Sequence, residues 1–178
     1  MIENHPFEPW LPKNAHLLML GTFPPSPKRW CIPWYYPNFQ NDMWRIFGII
    51  FFGDKLHFVD VEHKQYRLEA IKEFLGEKGV ALFDTAQKVI RTKNTASDKD
   101  LKIVELSDLD GMLRALPECK AVLTWNYASS ACVIPSLLRS FLIFSAIILY
   151  MCALFPIAPS SFLTYRIISE IIMGFRKL

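Results

Sequence analysis

Metal-ligand spacing is missing from this sequence. Its four cysteines, Cys31, Cys119, Cys132 and Cys152, form no C-x-x-C pair. Its four histidines, His5, His16, His57 and His63, stand at no spacing that converges on one ion. Zinc ribbons and iron–sulfur sites are not predicted. The thiols read as scattered reduced cysteines of a cytoplasmic protein. Glycine is scarce, at 7 in 178 residues, and none builds a G-x-G-x-x-G or P-loop cradle. That removes the common nucleotide-binding motifs. No Ser–His–Asp arrangement is present. Met1–Pro6 is polar and Pro-interrupted, so it does not read as a signal peptide. Internal repeats and low-complexity stretches are also absent.

Charge is unevenly distributed. The formal net charge of +3 and the pI of about 8.7 permit a polyanionic partner without demanding one. All but five of the charged residues precede residue 125; the five are Arg139, Arg166, Glu170, Arg176 and Lys177. From Ser140 to Phe155 there is none. Residues 1–124 read as a soluble domain and 125–178 as an apolar tail that would complete the same domain if native. Three readings of the tail compete: a buried pair of core elements, a membrane anchor at 140–155, and a shifted reading frame from about residue 125. The uncharged run is shorter than the ~20 residues a span normally needs.

The first 124 residues alternate between strand and helix signals. Leu17–Gly21, Val80–Asp84 and Ala121–Thr124 are short apolar runs of the buried-strand type. A helix is expected from Asn41 or Asp42, with an apolar face of Met43, Trp44, Ile46, Phe47 and Ile50. Residues 64–78 predict a second helix stopped by Gly79, and Ser107–Leu116 a third stopped by Pro117. Residues 92–100 read as polar loop, and 102–105 as a short extended piece. Such alternation predicts an α/β fold with a largely parallel sheet. Ligands in such folds sit beyond the C-terminal strand ends, here Gly21–Pro25, Asp84–Ala86 and Thr124–Asn126.

The loop after the first strand, GTFPPSPKRW, carries most of the chemistry. Gly21 permits a sharp turn and close approach to a ligand. Pro24 and Pro25 stiffen the loop. Phe23, Trp30, Trp34, Tyr35 and Tyr36 supply flat faces, and Lys28 and Arg29 supply positive charge. Together these suit a heteroaromatic ring on a phosphate backbone, or equally a surface mini-core. The Asn41 amide can read a base edge or hold a water, or can simply cap the helix. Asp84 can orient a water, bind an arginine, or cap a turn. His5 stands next to Pro6 and could face the site; none of the histidines is assigned a role.

The stretch from Gly21 to Trp44 resembles the first motif of the uracil-DNA glycosylase superfamily. It is most similar to the hypoxanthine-DNA glycosylase branch. The matching pieces are Gly21-Thr22-Phe23-Pro24, Tyr35-Tyr36 and Asn41-Asp42-Met43-Trp44. His5-Pro6-Phe7, Pro9-Trp10-Leu11-Pro12 and Ala81-Leu82-Phe83-Asp84-Thr85 resemble further pieces of that branch, so the likeness covers about residues 4–124. After Thr124 it breaks. Trp125-Asn126-Tyr127-Ala128 stands where the family has T-G-x-x-A, and Pro159-Ser160-Ser161 only weakly resembles its minor-groove loop.

The resemblance implies a three-layer α/β/α sandwich with a mostly parallel central sheet, incomplete at the C-terminus if the tail is aberrant. It implies a glycosylase that flips a deaminated base, uracil or hypoxanthine, out of DNA and hydrolyses its N-glycosidic bond. Asn41 would be catalytic. Gly21, Thr22, Phe23, Pro24, Tyr35, Tyr36 and Asp84 would bind substrate, with Phe23 and one of the tyrosines stacking on the base. Neither metal nor cofactor is implied. The expected partner is DNA bearing a deaminated base, and the protein is expected to be a cytoplasmic monomer away from membranes. Two alternatives remain open: a catalytically impaired nucleic-acid-binding relative, and a small protein anchored in a membrane by residues 140–155.

Overall fold

The computed structural model describes residues 1–93, 95 and 97–124. The divergent tail, the 140–155 run, the Pro159–Ser161 loop, Cys132 and Cys152 lie outside the described residues.

Three parallel strands form the centre. β2 (Leu17–Gly21) pairs with β5 (Val80–Asp84) on one side and β8 (Ala121–Thr124) on the other. Every residue of β2 and β5 is buried. That is why both segments are continuous apolar runs rather than alternating ones. The register sets Gly21 opposite Asp84. The outer side of β5 carries a short bridge from the N-terminal segment, in which Trp10 and Leu82 exchange backbone hydrogen bonds of 3.0 and 2.9 Å.

Three helices cover this sheet through one apolar core. α1 (Met43–Phe52) contributes Met43, Trp44 and Phe47. α2 (Leu68–Glu77) contributes Ile71, Phe74 and Leu75, and α3 (Leu109–Ala115) contributes Met112. The helical spacing of these residues places them on one face of each helix. The Asp108 side chain caps α3 by accepting from the Gly111 N–H. Gly79 ends the α2 connection with φ +61°, a conformation that favours glycine.

Two features differ from the sequence expectation. Residues 64–67 are not helical. β3 (Val59–Asp60) and β4 (Gln65–Tyr66) form a small antiparallel hairpin, with Lys64 at φ +51° in its turn. Tyr66 is recruited by tertiary contacts, because its ring is buried and its hydroxyl bonds to the 39–41 loop.

The second difference is an antiparallel sheet of order β1-β6-β7, built from Ile2–Asn4, Ala86–Arg91 and Leu101–Leu106. Only Ala86 and Val89 of β6 are buried, and a register irregularity interrupts its pairing near Lys88. Sequence alternation is therefore weak there. The extended piece expected at 102–105 is β7, lengthened by a residue at each end.

Cys31 and Cys119 are free thiols. Among the described residues, no helix is long and apolar enough to cross a membrane.

Candidate active site

The C-terminal ends of β2 and β5 open into one cavity of about 590 Å³. All eight candidate residues from the sequence line it, although they come from segments up to 63 positions apart. Thr124 ends β8, the third strand of that sheet; Trp125 and Asn126, which follow it, lie outside the described residues. A second cavity, of about 660 Å³, shares Phe23, Pro24 and Pro25 with the first but contains neither Asn41 nor Asp84.

Backbone bonds fix the loops to one another. Thr85 N–H donates to the Gly21 carbonyl at 2.9 Å, and Ala86 N–H to that of Thr22 at 3.2 Å. Ser107 Oγ–H donates to the Asp84 carbonyl at 2.7 Å. Thr22 Oγ1–H donates to Asp98 Oδ2 at 2.9 Å, which ties the first loop to residues 97–100. Arg91 donates to the Pro24 carbonyl at 3.0 Å while paired to Glu3 at 3.1 Å.

Asn41 sits at the exposed rim. Its Oδ1 accepts from the Met43 N–H at 2.9 Å, so it supports the start of α1. An amide oxygen has a second lone pair, and the Nδ2 hydrogens point away from that bond. The Asn41 carbonyl accepts from the Tyr66 hydroxyl at 2.5 Å and from Arg45 at 3.2 Å. Arg45 lies over both the Phe39 and Tyr66 rings, at 4.7 and 5.4 Å. These two residues anchor the backbone that presents Asn41, and no local pattern announces them.

The aromatic residues divide into packing and lining roles. Tyr35 is 2% exposed and its hydroxyl donates to the Glu8 carbonyl at 2.8 Å. Tyr36 is less buried, at φ +49°, with its ring edge-on to Trp44. Of the two, Tyr36 is the more accessible face. Phe23 packs against Ala86 and Val89.

Asp84 is 7% exposed. Its Oδ2 accepts from the His5 Nε2–H at 2.8 Å. A Cβ on Gly21 would overlap Asp84 Oδ1, so only glycine lets this carboxylate lie against the end of β2. Sequence reasoning assigns His5 no role; its one signal is its place beside Pro6 in the N-terminal segment.

This architecture has a known counterpart. The chain matches the solution structure of a "putative Uracil DNA glycosylase" from Methanosarcina acetivorans with a TM-score of 0.59 and 21% identity, over 86% of this chain and 99% of that one. The chain has a uracil-DNA-glycosylase-like α/β fold. No family model matches it, and neither does any curated protein. In this glycosylase-like fold the cavity occupies the position that open α/β sheets use for ligands. Among the described residues, no group of three or more His, Cys, Asp or Glu side chains could hold a metal ion.

Burial raises the phenols at the site. Tyr36 and Tyr35 are pushed well above the ordinary tyrosine value, by burial first and by the Asp84 charge second. Tyr66 rises from 10.0 to about 12, again through burial, with Arg45 opposing. The folded state therefore holds the neutral phenol longer than the unfolded chain does. Stability from this group is intact below pH 10.0 and falls as pH climbs toward and past about 12. Urea midpoints measured from pH 8 upward should be flat and then decline above about 10. A Tyr66→Phe variant should show a shallower decline.

Proposed function

We propose that this protein is a DNA glycosylase that hydrolyses the N-glycosidic bond of a deaminated base, uracil or hypoxanthine, flipped out of DNA. The observation that carries this reading is the convergence of Asn41, Asp84, Phe23 and Tyr36 in one cavity at the strand ends of a glycosylase-like fold. Several ordered motif pieces, Gly21–Pro24, Tyr35-Tyr36 and Asn41–Trp44, favour the hypoxanthine branch.

A base inside a duplex cannot reach such a cavity, so the nucleotide must rotate out. Phe23 and Tyr36 offer faces to stack on it, and stacking of this kind is worth about 1–3 kcal/mol per base. The bond from C1′ to the base nitrogen breaks with its electron pair leaving on the base. Positive charge develops on the sugar ring. Water adds to C1′, and the proton it gives up neutralises the departing base, so the products are an abasic sugar and the free base. Asn41 is suited to this step because Oδ1 can accept from a water O–H while Nδ2–H donates to the water or to a base carbonyl. The Met43 N–H holds Oδ1 in place, so the amide is oriented before substrate arrives.

A panel of duplex oligonucleotides, each carrying one lesion, with abasic-site detection tests this. Uracil or hypoxanthine substrates should yield abasic sites and the unmodified duplex should not. Absence of abasic sites on every substrate, with folded full-length protein, would reject the proposal.

A further inference from the structure

Asp98 is a carboxylate at the mouth of the cavity that the fold holds in place without a counter-charge. It lines the same cavity as Asn41 and Asp84. Its Oδ2 accepts from the Thr22 Oγ1–H at 2.9 Å, while Oδ1 has no hydrogen bond among the described residues. The turn that carries it, Asp98–Asp100, is tied to the residue after β6. The Asp100 carbonyl accepts from the Thr92 N–H at 2.8 Å and from the Thr92 hydroxyl at 2.9 Å. Among the described residues no lysine, arginine or histidine pairs with Asp98; Lys93 approaches Asp100 instead. Burial of the carboxyl group raises its proton affinity, the Thr22 bond opposes that, and the Asp84 charge adds to it. The residue as a whole stays exposed, as a place at the mouth requires.

Depth assigns this carboxylate a neighbour. Asp84, 7% exposed, marks the floor, whereas Asn41 and Asp98 are exposed at the mouth. A flipped base that reaches the floor trails its sugar behind it, at the level of Asn41 and Asp98. DNA is a polyanion, and a mouth built for affinity alone would carry lysine or arginine. A carboxylate there repels the phosphates that flank the flipped nucleotide. It becomes favourable only when the bond from C1′ to the base breaks and the sugar turns positive. An interaction stronger in the transition state than in the ground state accelerates the step. A charge already fixed by Thr22 needs no reorganisation at that moment.

We propose that Asp98 is a catalytic residue whose carboxylate lies against the sugar of the flipped nucleotide and stabilises the positive charge that develops there, with Thr22 holding it in position. The inference rests on the glycosylase reading of the cavity and adds an electrostatic group to Asn41. No bond forms to Asp98, and the proton from the attacking water still passes to the departing base.

The experiment compares single-turnover base release and equilibrium affinity for the full chain on duplexes with one central uracil or hypoxanthine. Affinity is read on the same duplexes with fluorine at C2′ of the lesion sugar, which withdraws electrons and blocks base release. Asp98→Asn keeps an oxygen for the Thr22 hydroxyl and removes only the charge. It should release base about 100-fold more slowly. It should bind the fluorinated duplex about two- to fivefold more tightly at low salt. Rate and affinity then move in opposite directions, which a residue that merely ties two loops together would not produce. Asp98→Glu and Asp98→Gln match in length and differ in charge, and Asp98→Glu should be the faster of the two. That pair decides if circular dichroism shows Asp98→Asn unfolded. An unchanged rate in folded Asp98→Asn, a slower rate with weaker affinity, or equal rates for Asp98→Glu and Asp98→Gln overturns the role of Asp98 and leaves the glycosylase reading standing. Absence of base release by the unsubstituted protein rejects that reading and this role with it.

Discussion

Replacing Asn41 with alanine is expected to slow base release about 100- to 1,000-fold, the usual cost of one oriented polar group at a developing charge. The loss should appear in single-turnover rates with enzyme in excess. Stability should change much less, because alanine removes one exposed acceptor of the Met43 N–H, worth about 1 kcal/mol. Asn41→Asp separates the two roles. Aspartate keeps an oxygen for the Met43 N–H but has no amide hydrogens. It should melt close to the unsubstituted protein and remain slow. Equal rates for Asn41→Asp and the parent would show that the amide donors take no part.

Trp44→Ala is expected to remove about 3–5 kcal/mol of stability, the range for truncating a large buried aromatic. Trp44 is 1% exposed, stacks on Trp34 at 6.0 Å, and meets Tyr36 and Phe47 edge-on. Its Nε1–H donates to the Tyr35 carbonyl at 3.3 Å. Total stabilities of about 5–15 kcal/mol make this a large share. The same residue props the Tyr35-Tyr36 turn, so the site should loosen as the core does. Urea unfolding by fluorescence and circular dichroism measures the first effect and the Tyr36-dependent stacking affinity the second. A destabilisation under about 1 kcal/mol would mean that the core closes over the gap.

The two substitutions lie three positions apart and have different consequences. Asn41 faces out from the start of α1, and Trp44 faces in from its first turn. The spacing of N-D-M-W therefore joins chemistry to packing. That is why the motif is recognisable in the chain: neither half can drift in position without disturbing the other.

Local pattern makes several elements legible. β2, β5 and β8 are apolar enough to read as buried strands, and their ends nominate Gly21 and Asp84 from the sequence alone. α1 and α3 are legible to within two residues or so of their ends. The helix expected over 64–78 starts four residues later, at Leu68, since Tyr66 keeps helical spacing while serving a hairpin. Of the β1-β6-β7 sheet, only β7 leaves a trace in the sequence, as the extended piece at 102–105. The β1–β6 pairs, such as Ile2 with Ile90, join segments more than 80 positions apart, and the strands are mostly half-exposed or exposed. Backbone ladders of that kind carry little side-chain signature.

By itself the sequence determined the strand-and-helix alternation and the stiff aromatic loop after the first strand, and it nominated Asn41 and Asp84 as candidates. These follow from local rules: apolar period, glycine and proline conformational limits, and side-chain chemistry. Tertiary structure alone decided that His5 reaches Asp84 across 79 positions, that Tyr66 and Arg45 anchor the Asn41 carbonyl, and that Tyr35, though it lines the cavity, is mostly packed while Tyr36 is the more accessible. Those partners are chosen by packing of distant segments, where one hydrogen bond's direction depends on the whole intervening chain being folded.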